Sequence, residues 1–405
     1  MSKGPPRIVI AAGGTAGHVV PALAVADALR ARGAQVSFIG GERAEAQLVP
    51  AAGYELHTIS VTGLPRGNPL AALRALGRAA RAFLRTRALL GRLRPDAVMG
   101  GGGYVAGPVG LAAITRRIPL VLTEADSYLG LTNRVLAPFA RRICLAFPPE
   151  GSHAGEGSPA GGAPADGGPA MARRAQESPA AGAAAGGRSG RGPLAHLRPT
   201  RRTGRRYRVT GRPIPPPQED RAAARARLGV APGETCVLVF GGSLGARSIN
   251  LAALEAFAEA GFHVLHVCGR RDFPELAARP RPAGYDLREY LELADFADAL
   301  AAADLVVARA GGSVFEIAAH ARPAILVPYP HAAGDHQTAN ARWMVQGGAA
   351  VAIPDGELSA ARLARETAAL LADPQRLRAM AAAARRLARP DAAREIADEL
   401  LEAAA

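Results

Sequence analysis

Residues 308–340, reading ARAGGSVFEIAAHARPAILVPYPHAAGDHQTAN, hold the densest set of side chains able to do chemistry. The apolar run Leu305-Val306-Val307-Ala308 feeds a Gly311-Gly312 turn, a helical pattern opens at Ser313, and a second apolar run spans 324–327. Glycines in such a turn let backbone N–H groups approach a phosphate, and the free N–H groups of a helix start favour negative charge. Glu316 falls one turn into that helix, where a carboxylate can accept both hydrogen bonds of a ribose diol. The simpler alternative is a tight loop with a solvated glutamate, because short glycine motifs recur by chance.

The N-terminus has the same form. An apolar strand at 7–12 leads through Gly13-Gly14-Thr15-Ala16-Gly17-His18 to a helix at 19–32 that tolerates Pro21 in its first turn. His18 stands where the loop becomes a helix, a place better suited to proton transfer than to core packing. Further glycine turns occur at 100–103 and at Gly241-Gly242-Ser243-Leu244-Gly245.

The elements that must carry these turns are short apolar strands alternating with helices. Strands are expected at 7–12, 34–40, 97–99, 120–123, 143–147, 207–210, 236–240, 264–268, 286–291, 305–308 and 324–327, with helices between most of them. Three helices close the chain, at 358–372, 373–387 and 391–401. Such alternation implies an α/β protein with doubly wound parallel sheets. The pattern divides into a domain at 1–150, a Gly-, Ala-, Pro- and Ser-rich insert at 151–206, a last strand and Pro-rich hinge at 207–217, and a second domain at 218–390. The segment 391–405 is expected to pack back on the first domain. The insert has too few large apolar residues to offset its ordering entropy and reads as disordered.

At 405 residues, 49% of them hydrophobic, the chain can fill two cores. A formal charge of +14 points to an acidic partner: nucleic acid, anionic lipid or a phosphorylated substrate. Cys144, Cys236 and Cys268 lie in apolar runs without paired spacing, which argues for core thiols rather than a disulfide framework or zinc site. Residues 68–94 mix leucines with Arg74, Arg78, Arg81, Arg85, Arg87 and Arg92 and contain no acidic residue. That is the form of a basic amphipathic helix, or pair of helices, resting on anionic lipid. An ordinary surface helix with its apolar stripe inward is the alternative. No apolar stretch is long enough to span a bilayer, and no secretory signal is legible. The expected location is the cytoplasmic side of the plasma membrane, as a peripheral protein.

Taken together, GGTAGHVVPALAVADAL, GGGGYVAGPVGLAA, EADSYLGLTNRVLA, VTGRPI, FGGSLGARSIN and RAGGSVFEIAA followed by PYPHAAGDHQTANA resemble the MurG family. The resemblance covers nearly the whole chain outside the insert. It implies a GT-B fold, two doubly wound Rossmann-like domains facing across a cleft. It also implies an inverting transfer of N-acetylglucosamine from UDP-GlcNAc to the C4 hydroxyl of the N-acetylmuramoyl sugar of lipid I, giving lipid II. On this likeness Thr15, Ala16 and Gly17 would lie at the diphosphate and sugar, and His18 would be the general base. Ser243 would meet the donor phosphate, while Arg309, Gly311, Gly312, Ser313 and Val314 would line the nucleotide. Glu316 would hold the ribose, Gln337 beside His336 would read sugar hydroxyls, and Tyr290 and Leu291 would flank the uracil. No cofactor and no metal are expected, because no Asp-x-Asp motif is evident and the His331, Asp335, His336 spacing fits no standard ligand pattern.

The chain departs from the family pattern in several places. Ala16 replaces a usual glycine and adds a methyl near the sugar. Glu124-Ala125-Asp126 replaces Glu-Gln-Asn, so the contact of Asp126 to the N-acetylglucosamine loses an amide donor and gains a charge. An arginine often follows Gly-Asn-Pro-Val at the hinge; here Pro215 stands there, and Arg212 lies inside the motif instead. The nucleotide loop is one residue shorter before Glu316. Two other readings compete. One is a different UDP-sugar enzyme on this fold, such as an epimerase, which needs no lipid-facing surface. The other is a basic nucleic-acid or membrane binder using the Arg-rich insert, whose lack of interleaved aromatics argues against nucleic acid as a partner.

Overall fold

The apolar runs become the buried strands of two all-parallel sheets. The computed structural model describes residues 4–14, 16–60, 69–148, 206–242 and 244–405. The first sheet contains β1 (Arg7–Ala11), β2 (Gln35–Gly40), β3 (Glu55–Thr58), β4 (Ala97–Gly100), β5 (Leu120–Glu124), β6 (Arg142–Leu145) and β7 (Tyr207–Val209), in the order β3-β2-β1-β4-β5-β6-β7. The second contains β8 (Cys236–Phe240), β9 (His263–Val267), β10 (Tyr285–Arg288), β11 (Leu305–Ala308), β12 (Ala324–Leu326) and β13 (Ala350–Ala352), in the order β10-β9-β8-β11-β12-β13. Every strand pair is parallel; Val9 aligns with Val98, and Leu238 with Val306. Parallel strands covered on both faces are apolar throughout, and β4, β8, β9 and β11 are buried at every position.

In each sheet the order reverses between two central strands, β1 and β4 in the first, β8 and β11 in the second. Ligands of open α/β sheets bind outside the carboxyl ends of such strands. All four glycine turns follow these four strands.

The helices of the first lobe are α1 (Ala16–Arg30), α2 (Ala44–Ala51), α3 (Pro69–Leu93), α4 (Ala106–Thr115) and α5 (Leu131–Leu136). The second lobe carries α6 (Arg221–Arg227), α7 (Arg247–Ala256), α8 (Phe273–Ala277), α9 (Leu293–Ala302), α10 (Val314–Ala319), α11 (His336–Gln346), α12 (Ala360–Leu371) and α13 (Pro374–Leu387). The last helix is α14 (Ala392–Ala404). Several differ from their sequence-based bounds. The helix expected at 19–32 begins at Ala16, so His18 sits inside its first turn. Helix α5 stops at Leu136 and continues as a 3-10 turn, Ala137–Phe139, because Pro138 has no N–H to extend the ladder. Within the basic segment, Pro69–Leu93 form one helix rather than two. Of the insert at 151–206, with its expected disorder, residues 151–205 lie outside the described residues.

Helix α14 packs on the first sheet. Ile396, Ala397, Leu400 and Ala403 share a core with Val19, Val25 and Leu29 of α1. Burying each of Ile396 and Leu400 contributes about 1.5–3 kcal/mol. Charge fixes the register: Glu399 accepts from Arg142 at 2.7 Å and from Arg208 at 3.1 Å, and Glu402 accepts from Arg142 at 2.8 Å. The chain therefore crosses between the lobes twice, after β7 and after α13. The three cysteines are buried free thiols.

Candidate active site

A cavity of about 510 Å³ opens between the lobes, walled by Gly17, Pro21 and Arg212 on one side and by Gly241, Gly311, Gly312 and Glu316 on the other. That volume suits a small-molecule ligand. Tyr290, Leu291, Ser313, Arg309 and Gln337 also line it.

His18 projects from the first turn of α1. Gly102, at φ +87°, lets the loop after β4 close on the imidazole, and a Cβ there would stand 3.1 Å from Nδ1. Among the described residues Nδ1 has no hydrogen-bond partner. Burial lowers the pKa of His18 below 6.5; the Arg212 charge lowers it further, and Asp126 opposes both. The imidazole is thus neutral at pH 7 and can accept a proton. Nearby, Glu124 accepts from Gly130 N–H at 2.8 Å and Asn133 Nδ2 at 3.0 Å. Burial nonetheless pushes its carboxyl up to about 7.

Pro21 has a local consequence. Lacking an N–H, it leaves the carbonyl of Gly17, four residues earlier, without its helical donor. Arg212 Nη2, on the segment joining the lobes, donates to that carbonyl at 2.6 Å. The guanidinium lies against Gly312, where a Cβ would stand 2.6 Å from Nη1. Burial lowers the pKa of Arg212, while Glu316 and Asp126 raise it. Glu316 itself is raised by burial and lowered by Arg212.

The two outer glycine turns differ from the sequence reading. At the first, Gly14 N–H is taken by Glu45 Oε2 at 2.9 Å and Gly41 N–H by Glu45 Oε1 at 2.8 Å, so Gly14 offers nothing to a phosphate. At the second, the N–H groups of Val314 and Phe315 bond to the carbonyls of Gly311 and Gly312. Val314, expected to line the nucleotide, is fully buried in the core of the second lobe. Arg309 lines the cavity, but its donors serve the protein. Nη1 reaches the carbonyls of Val327 at 3.1 Å and Pro328 at 3.2 Å, and Asp355 at 2.5 Å; Nη2 reaches Ser248 Oγ at 2.8 Å. Gln337 lines the cavity, and its side-chain carbonyl oxygen accepts from Tyr329 N–H at 2.9 Å. Tyr290 lies beneath Arg270 at 5.0 Å. Asp126 sits in the loop after β5, its backbone N–H on Glu124 at 3.3 Å. Ala16 opens α1; Thr15 and Ser243 lie outside the described residues. Across the cleft, Ser127 Oγ donates to the His336 carbonyl at 3.4 Å and Tyr128 stacks on the His336 ring. Among the described residues no group of three or more His, Cys, Asp or Glu side chains could hold a metal.

Sequence reasoning missed Glu45 entirely. Its only signal is a carboxylate placed four residues after Gly41 in a short apolar helix.

Two facing parallel-sheet lobes with a cavity at both switch points are the GT-B fold, and the sequence matches place the chain among glycosyltransferases. Residues 8–145 match the glycosyltransferase family 28 N-terminal domain and residues 236–396 the family 28 C-terminal domain. The chain belongs to the family of UDP-N-acetylglucosamine–N-acetylmuramyl-(pentapeptide) pyrophosphoryl-undecaprenol N-acetylglucosamine transferases. It is 38% identical over 412 residues to the member from Moorella thermoacetica, covering 98% of each chain. It is 39% identical over 406 residues to that from Aeromonas hydrophila, covering 98% of this chain and 96% of the other. The crystal structure of Acinetobacter baumannii MurG superposes with a TM-score of 0.70 at 29% identity, over 98% of this chain and 100% of that one. A UDP-GlcNAc 2-epimerase from Neisseria meningitidis, at 12% identity and TM-score 0.63 over 98% and 100% of the two chains, shares the fold.

Proposed function

We propose that this chain transfers N-acetylglucosamine, with inversion, from UDP-GlcNAc to the C4 hydroxyl of the N-acetylmuramoyl sugar of lipid I. The observation that carries this reading is the cavity that sets Gly17 and Pro21 of α1 against Glu316 and Gly312, with His18 of the same helix turn lining the smaller pocket that adjoins it at Gly17, Pro21 and Arg212. His18 is the general base, neutral at pH 7 and able to take the acceptor proton. Glu316 receives the ribose hydroxyls, Tyr290 and Leu291 flank the uracil, and Gln337 offers its amide to the sugar. Asp126, Gly17 and Gly311 complete the donor contacts, with Thr15, Ala16, Ser243 and Ser313 assigned to it by resemblance. The lobe at 218–390 takes the donor. The lobe at 1–150, with 207–217 and 391–405, takes the acceptor.

The acceptor is lipid-linked, and the first lobe has a face suited to an anionic bilayer. Arg81, Arg85, Arg87 and Arg92 of α3 are exposed beside Leu84, which is 63% exposed. The neighbouring α4 and α5 add exposed Leu111, Leu131 and Val135, with Phe139 just beyond. Such a surface combines apolar insertion with attraction to anionic headgroups. No helix among the described residues is long and apolar enough to cross a membrane, and peripheral attachment at the cytoplasmic face fits this arrangement.

The test is a radiolabelled transfer assay with UDP-GlcNAc and lipid I or a short-chain analogue, together with thermal shifts. Label should reach the lipid, and UDP-GlcNAc should raise Tm where NAD and an oligonucleotide do not. Absence of both effects removes the reading.

A further inference from the structure

We propose that Arg212 is the cation that meets the leaving diphosphate, held in place for it by the Gly17 carbonyl that Pro21 leaves free. This inference rests on the glycosyl-transfer reading above. Departure of UDP puts an extra negative charge on the diphosphate, and the site must stabilise it. Backbone groups contribute less than the glycine turns suggest. Helix α10 has only six residues, and the N–H groups of Val314 and Phe315 are bonded within the turn. On the first lobe, Gly14 N–H belongs to Glu45.

The cations on the cavity wall are Arg212 and Arg309. Arg309 is committed to Asp355, Ser248 and two backbone carbonyls. Arg212 makes one hydrogen bond among the described residues, to Gly17. Its Nε and Nη1 make no hydrogen bond among the described residues and lie over Gly312, 2.8 and 2.6 Å from where a Cβ would be. A half-buried guanidinium without a carboxylate in contact is costly, and an anion bound there recovers that cost. Glu316 and Arg212 line the same cavity, so one nucleotide can set its diphosphate at Arg212 and its ribose at Glu316.

In the step itself, the acceptor hydroxyl oxygen forms its bond to the anomeric carbon while His18 takes the hydroxyl proton. The bond from that carbon to the diphosphate oxygen breaks, and its electron pair stays on the diphosphate. Arg212 hydrogen-bonds to the accumulating charge and gives up no proton. Because the same guanidinium touches the residue before His18, it couples leaving group and base across the cleft.

The experiment compares the full-length wild type with Arg212→Gln and Arg212→Lys. Calorimetric titration with uridine and with UDP is paired with steady-state transfer to a lipid I analogue. Arg212→Gln should weaken UDP about 10- to 100-fold, leave uridine within about twofold, lower kcat roughly 100-fold and leave the unliganded Tm unchanged or higher. Arg212→Lys should recover part of the UDP affinity. Unchanged UDP affinity in Arg212→Gln, or equal losses for uridine and UDP, overturns the proposal. A wild type that discriminates UDP from uridine through Arg212 yet transfers no sugar would leave this assignment standing and remove the transfer reading instead.

Discussion

The turn after β1 and the turn after β11 have the same grammar: apolar strand, paired glycines, helix. Their chemistry differs. After β1, Glu45 collects the N–H groups of Gly14 and Gly41, and the Gly103 backbone closes against the Gly13 carbonyl. The loop is thereby tied to its own lobe, and what it presents is a side chain, His18. After β11, Gly311 and Gly312 face the cavity, and the close approach is made by Arg212 from outside the turn. A glycine pair thus marks where backbones come close, and the neighbouring charge decides whether the closeness serves the fold or a ligand.

The largest expected effect follows from the side chain that the first turn presents. His18→Ala should lower kcat about 1,000-fold while UDP-GlcNAc affinity, measured by titration, stays within about twofold. Full turnover in that variant would take His18 out of the base role. The pH profile sharpens the point. Burial and Arg212 hold the folded pKa of His18 below 6.5, so the acid limb of kcat/KM should centre below pH 6.5 and the profile should be level by about pH 7.5. It should fall only as acid protonates the ring. The sign for stability is the same: the unfolded chain takes that proton near pH 6.5 and the folded chain only at lower pH, so stability declines on acidification through this window. An acid limb centred above 6.5 would contradict the assignment.

A pair of glycine substitutions separates the two turns directly. The nearest atoms to a methyl at Gly312 belong to the far end of the flexible Arg212 side chain. Gly312→Ala should leave Tm nearly unchanged and weaken UDP about tenfold by displacing the guanidinium. Gly14 has φ +116°, and a Cβ there would make only ordinary contacts, 3.6 Å from the Tyr104 ring and 3.9 Å from that of His18. Gly14→Ala should therefore cost about 1–3 kcal/mol of stability through backbone strain and leave UDP affinity alone. The reverse outcome would mean that the first turn is the anion site.

Much of this was legible in the sequence because parallel strands buried on both faces announce themselves as uninterrupted apolar runs. β8 was read to the residue, and all four glycine turns were placed. The short amphipathic pieces were not. Helix α2 carries Pro50 within eight residues, and β13 is a three-residue strand of Ala-Val-Ala; neither has enough periodicity to stand out. Helix α1 was started three residues late because Pro21 reads as a first-turn proline, whereas it lies in the sixth position of the helix. That proline leaves the Gly17 carbonyl open for Arg212, a contact between residues 195 apart in sequence. The burial of Val314 was hidden likewise, since a helix start shows which residues begin it but not which side meets the sheet.

The smallest effects lie around Glu45, where the comparison becomes finest. Its carboxylate is fully buried, has no cationic partner among the described residues and accepts from Gly14, Gly41 and the Tyr104 hydroxyl, the last at 3.3 Å. Glu45→Gln turns one acceptor into an N–H donor facing a backbone N–H and should cost about 1–3 kcal/mol by chemical denaturation. The loop that carries His18 loosens with it, so kcat should fall while the Kd for UDP-GlcNAc holds. Tyr104→Phe removes only the longer bond and keeps the ring under Arg43; its cost should stay below about 1 kcal/mol. If both variants weakened the nucleotide as much as they slowed transfer, Glu45 would be shaping the donor site, and the division of labour between the two turns would fail.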